Sequence, residues 1–159
     1  MIPIYEISNS LSYLPESMQT DAAFAMLAAI GLQESRFRHR LQIRGPARGY
    51  WQFERIGLVE VTTNRLTVHH LKTVCTGLNY PFEIDLLFEA IAHNDTLACC
   101  VARLMLWPDP KPLPRYEDGP EPAWGYYLKR WRPGKPHRQT WDTFWLKAWD
   151  VSAWWNEKA

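Results

Sequence analysis

The stretch TDAAFAMLAAIGLQES, Thr20 to Ser35, constrains the fold more than any other part of the chain. Alanine, leucine and methionine dominate it, and such side chains lose little freedom in a helix. Thr20 or Ser17 is placed to cap its start, and Asp21 sits where the helix dipole is positive. Phe24, Leu27, Ala28 and Gly31 recur at three- and four-residue steps with Ile30 beside them, so the helix is expected to turn one apolar face to a core. A further step carries Glu34 to the rim of that face, near the carboxyl end.

Other segments read less sharply. Residues 1–17 are expected to be irregular, because Pro3 and Pro15 interrupt regular structure. FERIGLVEVTTN is open between strand and loop. Leu66, His70 or Leu71, and Val74 have helical spacing that ends near Gly77. Pro81 to Leu106 holds enough apolar periodicity for two helices, with Pro81 in the first turn of one and Asn94 or Asp95 capping the other, which carries Leu97, Val101, Leu104 and Met105. Residues 107–122, WPDPKPLPRYEDGPEP, read as a Pro-rich surface loop. Trp141, Trp145 and Trp149 recur every fourth residue and predict a closing helix. The expected architecture is mainly α, with little or no β, in one domain over residues 1–159.

Composition narrows the function. At 159 residues the chain can bury one sizeable core, and two would be cramped. A formal charge of +1 argues against a dedicated nucleic-acid binder. No run approaches the ~20 apolar residues of a membrane span, and the amino end lacks the basic start and apolar block of a signal peptide. Cys75, Cys99 and Cys100 are an odd set with no disulfide framework, read as reduced core thiols. His69, His70 and His93 lack a matching ligand set, so no metal is expected. The nine tryptophans suit a large core, with two or three left for ligand contact, since sugar rings pack their C–H faces on aromatic planes.

Glu34 is the candidate for chemistry. A carboxyl among apolar side chains is held neutral above its usual range, and the carboxyl end of a helix pushes the same way. Arg36, Arg38, Arg40, Arg44 and Arg48 follow closely, with a turn at Gly45-Pro46. Their charges would favour the anion, so a raised Glu34 requires them to face solvent or substrate. As a solvated face this loop is unremarkable; as a functional one it would attract anionic wall polymers, an effect that salt screens.

Glu34-Ser35-Arg36-Phe37, followed by Gly45-Pro46-Ala47-Arg48-Gly49-Tyr50-Trp51-Gln52, resembles the signature of soluble lytic transglycosylases, the lysozyme-like enzymes of peptidoglycan. The match spans residues 34–52, about an eighth of the chain. The order of the whole chain, including WRPGKP near its end, is similar to small bacteriophage proteins of this kind. The resemblance implies a lysozyme-like domain with a cleft. Glu34 would be the catalytic acid and then base, Ser35 its buttress, and Gln52 and Trp51 contacts to an N-acetyl sugar. The family's alanine-tyrosine-asparagine motif is echoed by Ala123-Trp124-Gly125-Tyr126-Tyr127, so Tyr126 or Tyr127 would steady the acid; the family's asparagine-led helix motif is echoed by HNDTLACCVARL. No cofactor is implied. The partners would be peptidoglycan glycan strands and, in a virion, other virion proteins; the setting would be a phage-encoded protein, released from host cytoplasm to the wall or carried in the particle. Two alternatives stand beside this. One is a hydrolytic muramidase, with Glu54 as a second acid. The other is a non-catalytic wall-binding or virion protein on the same fold.

Overall fold

A computed structural model describes residues 1–156; the last three residues of the expected 1–159 domain lie outside the described residues. Eight α-helices run in the order α1 (Ile4–Leu11), α2 (Asp21–Glu34), α3 (Arg55–Thr63), α4 (Val68–Gly77), α5 (Ile84–Ala90), α6 (Asp95–Leu106), α7 (Pro120–Trp131) and α8 (Arg138–Asn156). Short 3-10 turns lie at Glu16–Met18 and Tyr116–Asp118. Among the described residues there is no strand, only isolated bridges joining Leu41 to Arg48 and Arg48 to Phe53. The protein is mainly α, as the periodicity predicts.

The centre is α2. Its Thr20 hydroxyl accepts the Ala23 N–H at 3.1 Å, so Thr20 rather than Ser17 is the cap. Every residue from Ala23 to Leu32 is buried. The expectation of a single apolar face is therefore corrected: a helix apolar on all sides is covered on all sides, and α2 packs against α1, α6 and α8. Around it, α6 meets α1, α3 and α4, and α7 lies on α8. The Asn94 side chain caps α6 by accepting the Leu97 N–H at 2.8 Å.

Four further expectations change. Residues 4–11 form α1 because Pro3 and Pro15 flank the helix rather than interrupt it, leaving Ile7 and Leu11 free to bury. FERIGLVEVTTN contains α3: its β-branched residues suggest a strand, yet Leu58, Val61 and Thr62 bury at helical steps. Pro81 precedes α5, whose first residue is Ile84 and whose cap position is Glu83. The Pro-rich connection ends earlier than expected, because Pro120 opens α7 in the first turn, where a missing N–H costs nothing.

Tryptophan fills much of the core. Trp51, Trp141 and Trp145 have no exposed surface. The Trp141 ring stacks on Tyr127 with centroids 5.1 Å apart and 18° between planes, and on Trp145 at 6.4 Å. The Trp141 indole N–H donates to the Pro120 carbonyl at 3.0 Å, fixing α8 to the start of α7.

Candidate functional site

Glu34 is the last residue of α2, and the chain leaves the helix by an unusual path. Ser35 N–H still reaches the Gly31 carbonyl at 3.1 Å, then Arg36 and Phe37 both take positive φ, +55° and +53°. Such values are uncommon for non-glycine residues and persist only where the surroundings hold them. Two contacts do so. The Ser35 hydroxyl donates to the Tyr50 carbonyl at 2.7 Å and accepts the Phe37 N–H at 3.1 Å. The Phe37 ring folds back over Gly31, edge-on to Tyr50 and Trp51. Ser35 therefore buttresses the loop rather than the carboxyl itself.

Gly31 leaves room for that ring: a Cβ there would fall 2.1 Å from Phe37 Cζ. Overpacking of this kind costs typically ~1–3 kcal/mol, more than the helix propensity that alanine regains. Gly31→Ala is expected to lower the melting temperature by several degrees, and adding Phe37→Leu is expected to restore part of it. An unchanged melting temperature for Gly31→Ala would mean that the ring is not held over the helix.

The loop after Phe37 returns to the helix end. Gly49, at φ +73°, lies where a Cβ would come within 2.7 Å of the Ile91 carbonyl oxygen, so only glycine brings the loop this close to the α5–α6 corner. Two arginines fasten the loop to the same corner. Arg40 grips Asp95 with two bonds, at 3.0 and 2.6 Å, and Arg48 meets Glu89 at 2.9 Å. Arg55 pairs with Asp85. Arg36 lies over the Phe144 ring, and Arg38 and Arg44 are exposed. None of these charges is among the causes that shift Glu34.

Between this loop and the segment joining α7 to α8 lies an open cavity of about 900 Å³. Glu34 and Gln52 line it, with Met105, Tyr127 and Trp131. The Tyr127 hydroxyl donates to Glu34 Oε1 at 2.7 Å. Burial pushes the Glu34 carboxyl up from 4.5 to about 7, against the smaller lowering effect of the Tyr127 bond. Tyr127 is raised in turn, first by burial and then by the Glu34 charge, so its proton stays in place as a donor. A carboxyl that titrates near neutrality can give a proton and take one back.

The remaining expectations divide. Gln52, at φ +49°, anchors its amide nitrogen on the Gly49 carbonyl at 2.8 Å and presents itself to the cavity. Tyr126 does not join the site; its hydroxyl donates to the Leu106 carbonyl at 3.0 Å within the core. Trp51 is corrected as a ligand contact. Its ring is fully buried and its indole N–H donates to the Leu27 carbonyl at 2.9 Å. The tryptophan that lines the cavity is Trp131, whose own N–H donates to the Trp51 carbonyl at 2.9 Å. Glu54 also lines the cavity.

The far wall, residues 132–137, was not legible as part of a site. Glu60 binds Arg130 at 2.8 Å and Arg132 at 2.7 Å, fixing where that wall begins. Gln33, beside the acid, fixes where it ends: its amide donates to the His137 carbonyl and accepts from the Thr140 hydroxyl, both at 3.0 Å. Among the described residues no group of three or more His, Cys, Asp or Glu is placed to hold a metal ion, and no helix is long and apolar enough to cross a membrane. No family model, curated protein or solved structure matches the chain.

Proposed function

We propose that the protein cleaves the glycan strands of bacterial cell wall between N-acetylmuramic acid and N-acetylglucosamine, leaving a 1,6-anhydro end. One observation carries the reading: a carboxyl raised to about 7 in an open cavity, with a tyrosine hydroxyl fixed on one of its oxygens. The resemblance of Glu34–Phe37 and Gly45–Gln52 to the lytic transglycosylase signature supports the same chemistry, as does a cavity large enough for sugar rings. On this reading the domain is lysozyme-like and the cavity is its cleft.

Tyr127 occupies Oε1, so the transferable proton rides on Oε2. Glu34 gives that proton to the bridging oxygen as the bond to the muramic C1 breaks. The substrate's own acetamido oxygen closes on C1 and carries the positive charge. Glu34, now the anion steadied by Tyr127, takes the proton from the C6 hydroxyl as O6 attacks C1 and the acetamido group leaves. The proton count returns to its start and no water is consumed. Gln52, braced on Gly49, orients an N-acetyl group, and Trp131 offers a ring face at the wall.

A second reading is favoured by one feature, the presence of Glu54 in the same cavity. A hydrolytic muramidase would use it to place a water or stabilise C1. Mass analysis of a wall digest separates the two, because an anhydro end weighs one water less than a reducing end. Anhydro products are expected; reducing ends alone would overturn the non-hydrolytic route. The activity fits a phage lysis protein or a virion component that opens the wall.

A further inference from the structure

The two walls of the cavity differ in chemistry. On the loop side Leu41, Ile43 and Ile56 line the rim and are 52%, 75% and 72% exposed, an apolar edge unusual for a soluble surface. Glu54 stands on this side. The opposite wall carries Arg132, Lys135 and His137, and no acid. Arg132 is engaged by Glu60. Lys135 forms no ion pair with any described residue.

A surface lysine is ordinarily a loose charge whose ordering cost cancels its attraction. Here the backbone beneath it is held. The segment Arg132-Pro133-Gly134-Lys135-Pro136-His137 has a proline on each side of Gly134-Lys135, and each fixes one backbone angle. Glu60 pins its start and Gln33 pins its end. A cation on a prearranged wall, facing an apolar and acidic one, sorts a polymer by where its negative groups lie.

We propose that this wall is a specificity element, with Lys135 the contact for carboxylates on the short peptides that branch from a wall glycan. The proposal rests on the cavity being a glycan cleft. An unbranched N-acetylglucosamine polymer has no charge for this wall to meet, whereas a peptide-bearing strand places carboxylates beside the sugar that Glu34 attacks. The apolar edge opposite fixes which side of the cleft the branches take.

Binding separates this proposal from the cleavage chemistry. Titration calorimetry in a Glu34→Gln background, which leaves the strands intact, is run with soluble peptide-bearing glycan strands and with uncharged, peptide-free N-acetylglucosamine oligomers of matched length. Lys135→Glu is expected to weaken binding of peptide-bearing strands by about tenfold, as reversing one exposed charge contact would, and to change peptide-free binding less than twofold. Added salt is expected to weaken the first and spare the second. Equal losses on both strands, or no loss on the peptide-bearing strand, would overturn the role of Lys135 while leaving Glu34 chemistry standing. The differential in binding, together with a parent protein carrying Glu34 that yields no cleavage products from wall, would keep the wall's role and overturn the activity.

Discussion

Glu34→Gln is expected to abolish clearing of wall suspensions, to leave wall binding intact, and to make the protein more stable at pH 8. The activity loss follows from removing the proton donor, an effect worth about 10²–10⁴-fold in general acid catalysis. The stability gain follows from the same burial that makes the donor. A carboxyl raised from 4.5 to about 7 binds its proton more tightly in the folded chain than in the unfolded one. Folding is therefore undisturbed below about pH 4.5, loses stability as pH rises from there to about 7, and carries the full cost above that. At about 1.4 kcal/mol per pH unit the cost is on the order of 3 kcal/mol. Glutamine keeps an oxygen for the Tyr127 hydroxyl and has no charge to bury. The variant is expected to melt several degrees above the parent at pH 8 and together with it near pH 4. Retained clearing would place the acid elsewhere; equal melting at both values would mean that Glu34 is not desolvated.

Trp141→Ala is expected to have the largest effect on the fold. It removes a fully buried indole that stacks on Tyr127 and Trp145 and holds the Pro120 carbonyl. Losses of this kind cost about 3–5 kcal/mol. Function is expected to change as well, in the portion that folds well below its melting point. Tyr127 lies flat on the lost ring, and its bond to Glu34 lowers that carboxyl. With the stack gone the bond loosens, and the alkaline limb of the activity profile moves to higher pH. Trp141→Phe keeps a ring against Tyr127, so it is expected to cost less stability and leave the limb in place. A limb that stays put in Trp141→Ala would show that the stack does not position the tyrosine.

The two site candidates that sequence named most directly, the acid Glu34 and the sugar contact Gln52, line one cavity because their placement is local. A helix end, a glycine turn and a short return loop are written in consecutive residues. Tyr127 was one of two tyrosines, and the choice between them depends on which side of α7 faces α2, a matter of packing between distant elements. Trp51 shows the limit of a motif read without burial. Beside Gln52 an indole suggests a sugar contact, yet its N–H finds a carbonyl in α2 and the ring becomes core. The far wall was hidden for a similar reason. Arg132 and His137 gain meaning from Glu60 and Gln33, some seventy and one hundred residues away in sequence. The α1 and α3 helices were missed because flanking prolines and β-branched residues carry the same letters in a loop, a strand or a short helix whose stability comes from tertiary packing.

The three thiols give the chain a reporter that needs no engineering. Cys75, Cys99 and Cys100 are buried, and burial lifts the first two to about 11 and 12 and the third well above its ordinary 9.0. Since the thiolate is what alkylates, labelling is confined to molecules that have opened, and its rate counts excursions from the native ensemble under working conditions. Each active-site substitution can thus be audited for hidden unfolding with a maleimide and a mass spectrometer.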